Sequence, residues 1–183
     1  MAILRLADGT TLTERQAIFT QLDPLHIRLN QLDPAAPFLP ELLERDLLEE
    51  SAKQKILDFY EDYFEFLKQE GGYLWADLLS LHPGSSNLHI LTTTYSRYHK
   101  HTAPEALYVL AGEAIFGFVQ PDRSQVQLLV QPYDFIHIPA QTEHWFNLAA
   151  SLHLKTVRYF TTADGWIAHY TGTEIQDSLG KLR

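Results

Sequence analysis

The stretch Tyr98-His-Lys-His-Thr-Ala-Pro-Glu105, answered further along by Ile138-Pro-Ala-Gln-Thr-Glu-His144, offers three imidazoles and one carboxylate. Side chains on a strand alternate between its two faces, so His99 and His101 point the same way. A short turn then swings Glu105 back beside them, and a second strand, ending in a turn at Pro139, delivers His144 from next door. Neutral imidazole nitrogens suit Fe, Ni, Cu and Zn, while the carboxylate suits a harder ion such as Fe(II) or Mn(II). Four such ligands on an octahedral ion leave two adjacent positions for a chelating substrate or for O2. The rest of the chain reads as support for this cluster.

Composition narrows the setting. The chain has 183 residues, 45% hydrophobic and 20% charged, enough for one domain with an appendage and an ordinary core. A net charge of -9, from 14 basic and 23 acidic side chains, argues against a nucleic-acid partner, which needs a basic face. With no cysteine, disulfides, thiolate zinc sites, Fe–S clusters and cysteine nucleophiles are excluded. The start, Met1-Ala-Ile-Leu-Arg-Leu-Ala-Asp-Gly9, lacks the basic-then-apolar order of a signal peptide. No stretch approaches the roughly 20 apolar residues that span a bilayer. The expectation is a soluble, cytoplasmic protein without a membrane partner, for which a monomer suffices.

Outward from the cluster, the spacing predicts two regions. Residues 1–72 read as an N-terminal hairpin and helical region, and residues 73–183 as the β-domain carrying the cluster, the two forming one structural unit. Ile3-Leu-Arg-Leu6 and Thr10-Thr-Leu12 flank an Asp8-Gly9 turn, and Thr13 is placed as the N-cap of a short helix. Asp23-Pro24 and Asp33-Pro34 punctuate, and Pro37 and Pro40 keep this part of the chain irregular. Ile56, Tyr60, Tyr63, Phe64 and Leu67 then recur at helical steps, predicting one helix over 42–70 that stops at Gly71-Gly72. Strands are predicted over 76–81 and 88–95, then within 106–119, 126–130, 134–138 and 154–160. Short strands so closely spaced predict a mainly β architecture, a sandwich or small barrel with the helices packed on it.

The spacing His99-x-His101-xxx-Glu105, followed after six residues by Gly112, resembles the first cupin motif. Pro139, His144 and Asn147 resemble the second, with Gln141 where that motif has glycine and Asn147 one residue early. Within the cupins, most of the chain resembles the acireductone dioxygenase family. Gly71-Gly-Tyr73 and Asp77-Leu-Leu-Ser-Leu81 fit it, as do Asp134-Phe-Ile-His-Ile-Pro-Ala140 and Thr142-Glu-His-Trp-Phe146. Lys155-Thr-Val-Arg-Tyr-Phe160 and Asp164-Gly-Trp-Ile-Ala-His-Tyr-Thr-Gly172 match its C-terminal signature. The resemblance implies a cupin-type β-barrel (jelly roll) and a metal, one Fe(2+) or Ni(2+) per chain, held by His99, His101, Glu105 and His144. It implies a dioxygenase of methionine salvage that cleaves 1,2-dihydroxy-3-keto-5-methylthiopentene with O2. Fe(II) gives formate and 2-keto-4-methylthiobutyrate; Ni(II) gives carbon monoxide, formate and a shorter thioether acid.

Departures from the family gather around the cluster. Leu107 stands where the family carries an arginine two residues after the glutamate, Tyr98 precedes the first histidine, and Pro104 precedes Glu105, the last two at positions usually acidic. A guanidinium beside the metal would hold an enediolate oxygen and favour its deprotonation, which leucine cannot do. If the strand over 88–95 continues in phase, Tyr95 and Arg97 share the parity of His99 and His101, so Arg97 is the candidate catalytic helper beside Glu105. Arg158 is retained from the family pattern, with a structural role expected. His137, Trp145, Phe146 and Trp166 are expected in the core. Two alternatives stay open: a cupin dioxygenase or isomerase for another small enediol, diketone or sugar-like substrate, and a non-catalytic metal-binding cupin.

Overall fold

Ile3–Arg5 (β1) and Thr11–Leu12 (β2) pair antiparallel around Asp8-Gly9, as the sequence predicts. Gly9 takes a φ of 88°, and the Asp8 carboxylate accepts a 2.8 Å bond from the Thr10 amide. The computed structural model describes residues 1–32 and 37–176, so the expected break at Asp33-Pro34 lies outside the described residues. The first helix, Arg15–Leu22 (α1), starts later than Thr13 allows. Glu14 occupies the N-cap in extended conformation, without a side-chain cap, and buried Ile18 and Leu22 anchor the helix instead.

Arg28–Gln31 (β3) is a strand the sequence left unassigned. The single helix expected over 42–70 is three: Leu39–Leu43 (α2), Glu50–Phe59 (α3) and Glu61–Gly71 (α4). Pro40 sits in the first turn of α2, where no amide hydrogen is needed. The break between α3 and α4 falls at Tyr60, whose backbone opens to φ -96° and ψ 14° while its ring meets Tyr108 edge-on at 5.1 Å. Gly72, at φ 67°, closes α4 with its amide on the Lys68 carbonyl, the stop expected of Gly71-Gly72.

Trp75–Leu81 (β4) is a strand as expected, but Leu88–Tyr95 is a helix (α5) and not a strand. Its threonines favour a strand locally, yet Leu88 and Leu91, three residues apart, reach the main core from one helical face. Thr92 turns its hydroxyl back onto the Leu88 carbonyl at 2.8 Å.

The remaining strands are His99–Lys100 (β5), Glu105–Gly112 (β6), Ala114–Val119 (β7), Gln125–Val130 (β8), Asp134–Ile138 (β9), His144–Leu148 (β10), Leu154–Phe160 (β11) and His169–Tyr170 (β12). They form two antiparallel sheets, ordered β12-β5-β10-β7-β8-β1-β2 and β3-β9-β6-β11-β4. This is the jelly roll expected, open between its two sheets rather than a closed barrel. Leu107, Val109, Phe116, Leu128 and Ile136 fill the space between the sheets. Helices α2 to α4 cover the outer face of the five-stranded sheet, where Tyr73, Tyr108 and Tyr159 are buried with Ile56 and Leu67. The first 31 residues are woven into this body, since β1 and β2 extend one sheet and β3 the other. At the β6–β7 corner Gly112 adopts φ 75°, and a Cβ there would lie 2.0 Å from the His153 carbonyl oxygen. Among the described residues no helix is long and apolar enough to cross a membrane.

Candidate metal centre

His99 and His144 face each other across the β5–β10 pair, and Glu105 begins β6 in the opposite sheet. The turn between β5 and β6 carries His101 and returns the chain so that all four side chains converge. They are almost fully buried: His99 0%, His101 3%, His144 1% and Glu105 6% exposed. One ring nitrogen from each histidine lies within 4.8 Å of the other two, and among the described residues this is the one such group able to hold a metal ion.

Backbone carbonyls set the tautomer of each ring. Nδ1 of His99 donates to the Arg97 carbonyl at 2.7 Å, that of His101 to Ile167 at 2.8 Å and that of His144 to Thr142 at 2.9 Å. A carbonyl only accepts, so the proton of each neutral ring sits on Nδ1 and the Nε2 lone pair is bare. These Nε2 atoms meet at one point. His144 Nε2 is 3.0 Å and His101 Nε2 3.5 Å from the Glu105 carboxylate, while His99 Nε2 and His101 Nε2 are buried without a hydrogen-bond partner. Acceptors facing a carboxylate are reconciled only by a cation between them, a proton or a metal ion, so the donor set fits a divalent metal.

The electrostatics follow from this crowding. Burial presses His99 down to about 4, with the neighbouring His144 acting the same way. Burial also presses on His101, but the Glu105 carboxylate outweighs it and raises that imidazole. For Glu105 burial pushes upward, and its bonds to His101 and His144 overcome this to hold the carboxyl far below its usual range.

Gln141, at the position where the general motif has glycine, adopts φ 65°. This left-handed conformation costs a non-glycine residue roughly 1–2 kcal/mol. Its backbone amide donates to the His101 carbonyl at 2.9 Å and its side-chain amide to the same oxygen at 3.3 Å, so the residue fastens the ligand-bearing turn.

A cavity opens from His99 and Glu105 between the sheets, under α5. Its wall is mainly apolar, with Leu79, Leu91, Leu107, Phe146 and Leu154, and it carries Tyr95, Thr156, Arg158 and Trp166 as polar-capable groups. Arg97 is absent from that wall. Because 88–95 is helical and the strand begins only at His99, the expected parity does not reach residue 97. The Arg97 side chain is exposed and its guanidinium lies 3.8 Å over the Tyr170 ring. Arg158, expected to be structural, does form an ion pair with Asp77, yet it also lines the cavity. Phe146 and Trp166 are wall rather than closed core, whereas Trp145 packs with Tyr98 and Ile115 in a separate cluster. His137, paired in register with Arg28, takes the strand parity opposite to Ile136 and Ile138, which belong to the core between the sheets.

The model of the ARD/ARD' family matches residues 21–168. An acireductone dioxygenase of Nostoc sp. is 57% identical over 182 residues, covering 99% of this chain and 100% of its own length. That of Trichormus variabilis is 56% identical over the same length, with the same coverage of 99% and 100%. The Trichodesmium erythraeum protein of that name is 46% identical over 177 residues, or 96% of this chain and 97% of its own. Among solved structures, Bacillus anthracis acireductone dioxygenase, with a cadmium ion in its active centre, superposes with a TM-score of 0.85. It covers 93% of this chain and 98% of its own at 24% identity, a likeness of fold.

Proposed function

Starting from the fact that this chain belongs to the ARD/ARD' family, we propose that it is the acireductone dioxygenase of methionine salvage in its cytoplasm, working on 1,2-dihydroxy-3-keto-5-methylthiopentene and O2. In this reading His99, His101, Glu105 and His144 hold one Fe(II) or Ni(II) per chain. The observation that carries it is the convergence of three imidazoles, each with its proton fixed on Nδ1 by a backbone carbonyl, on one buried carboxylate. When bound, the metal supplies a two-point seat for the enediolate oxygens and Lewis-acid polarisation there. Everything else falls to the chain. The carbonyls of Arg97, Ile167 and Thr142 fix the orientation of the rings and hold a proton on each Nδ1, which turns Nε2 toward the centre. Leu79, Leu91, Leu107 and Phe146 shed water from the reacting oxygens and suit an apolar thioether tail. Products are formate and 2-keto-4-methylthiobutyrate with Fe(II), and carbon monoxide, formate and the shorter acid with Ni(II).

The test is oxygen uptake by protein reconstituted anaerobically with Fe(II) and given synthetic acireductone, beside a Glu105→Ala control. Uptake that yields formate and the keto acid, and vanishes in the control, is expected. Metal-loaded protein that consumes no oxygen above background would overturn the reading. The apolar wall at Leu107 then favours a cupin dioxygenase or isomerase for a different small enediol.

A further inference from the structure

We propose that a second cavity, between the α3–α4 elbow and the outer face of the five-stranded sheet, binds a small primary alkylammonium ion. The inference stands apart from the dioxygenase reading, because none of the residues that line this site lines the metal cavity or belongs to the ligand cluster.

Strand alternation creates the floor of this cavity. Val157 and Tyr159 of β11 line it together with Ala76 of β4, the cross-strand partner of Tyr159. On the same strand Thr156 and Arg158 line the metal cavity, so β11 separates the two spaces. The end of α3, the break at Tyr60 and the start of α4 supply the opposite wall, and the exposed Asp58 and Glu61 stand at its mouth. At about 220 Å³ the space is smaller than a drug-sized pocket and suits a ligand of a few heavy atoms.

Charge and aromatic surface together select a cation. Asp58 lies in the last turn of α3, at the negative end of the helix dipole, where no basic residue stands. Its Oδ1 accepts the Gln54 side-chain amide at 2.7 Å, which leaves Oδ2 to a ligand. Neither Asp58 nor Glu61 makes an ion pair among the described residues, whereas Lys68, the cation of the lining, is paired with Glu65. The Lys68 ammonium lies 4.3 Å from the centre of the Phe64 ring, so this wall already carries one positive charge against an aromatic face. The rings of Tyr60 and Tyr159 extend that surface.

Buried hydroxyls say which cation. Tyr60 and Tyr159 are 7% and 0% exposed, and neither hydroxyl has a hydrogen-bond partner among the described residues. A buried polar group left so is costly, and a donor brought by a ligand removes the cost. A primary ammonium has three N–H donors, enough for a carboxylate and a phenol oxygen at once, and a quaternary ammonium has none. Leu57, Ala76 and Val157 leave apolar surface for a short alkyl tail.

The experiment is calorimetric titration of the metal-loaded protein with n-butylammonium near neutral pH, with n-butanol and tetramethylammonium as comparators. One butylammonium per chain is expected to bind with a Kd on the order of 1 mM, and each comparator about tenfold more weakly. Asp58→Asn and Glu61→Gln change exposed side chains, so both should fold and should weaken binding about 3- to 5-fold. Tyr159→Phe loses no hydrogen bond of the free protein, so it should unfold no earlier than wild type and yet bind butylammonium roughly 5- to 10-fold more weakly. A tyrosine that only packs would leave that affinity unchanged. Equal affinity in all three folded variants, the result expected if the amine went to the metal instead, overturns the proposal. So does n-butanol binding as tightly as butylammonium, or no saturable binding up to about a hundredfold above the expected Kd. None of these outcomes bears on the oxygen-uptake test, so the two readings fail separately.

Discussion

Oε2 of Glu105 lies 3.0 Å from Nε2 of His144, and the two residues belong to opposite sheets of the jelly roll. Any ion held between them ties the sheets together. Metal addition to the stripped protein should therefore raise the unfolding temperature, with a gain of about 2.7 kcal/mol at a hundredfold excess of free metal over Kd. Glu105→Gln should abolish most of that gain and weaken metal binding by on the order of 100-fold. Calorimetric unfolding with and without Ni(II) checks both, and an equal gain in the variant would remove Glu105 from the ligand set.

Arg97 should matter little to turnover. Its guanidinium covers Tyr170 on the outside, so Arg97→Ala is expected to leave kcat/KM within twofold and to cost about 0.5–1 kcal/mol in stability. A large fall in kcat without loss of metal would return it to the site.

The tyrosines beneath the helices predict the alkaline limit. Burial pushes Tyr63 up to about 12 and lifts Tyr73, Tyr108 and Tyr159 as well. In the unfolded chain these phenols ionise near pH 10. Their contribution is thus complete below about pH 10 and is lost as pH rises through 12. Phenolate absorbance and circular dichroism should change together in one late, cooperative step. Ionisation of these phenols in a chain that keeps its native circular dichroism would contradict this.

Gly117 predicts a packing limit next to the centre. It pairs with Trp145 on β10, one residue after His144, and a Cβ there would fall 2.0 Å from the indole nitrogen. Gly117→Ala should destabilise the protein by roughly 1–3 kcal/mol and loosen the metal by shifting β10. Denaturant unfolding paired with metal titration reads the two effects. An unchanged midpoint would mean that Trp145 has room to move.

The histidine and carboxylate cluster and a mainly β sandwich or small barrel were legible because strand alternation and turn residues act over a few positions, whereas the jelly roll was implied only by the family resemblance. His99, His101 and Glu105 fall within one such window, and Asp8-Gly9 and Gly71-Gly72 act where they stand. What was not legible depends on contacts from elsewhere. Leu88–Tyr95 carries strand-favouring threonines, yet it is a helix because its leucines reach the core between the sheets. Extending strand parity through it carried Arg97 into the cavity wrongly. Arg158 reads only as structural in the sequence for the converse reason: its nearness to the centre comes from pairing with Leu107, 51 residues away by their own numbers, and no local pattern records which strand lies beside which.

The carbonyl of Ile167 that orients His101 has a bearing on how the protein is made. Trp166 adds a bond from its indole to the Pro104 carbonyl at 3.2 Å, and Thr171 adds one from its amide to Tyr98 at 3.1 Å. The stretch around residues 166–171 thus completes the surroundings of side chains translated about 60–70 residues earlier, and synthesis proceeds at about 5–20 residues per second. A nascent chain paused before Ile167 would present its histidines without that fixed ring, so acquisition of the metal is expected to follow synthesis of this stretch, from whatever ion the cell then supplies.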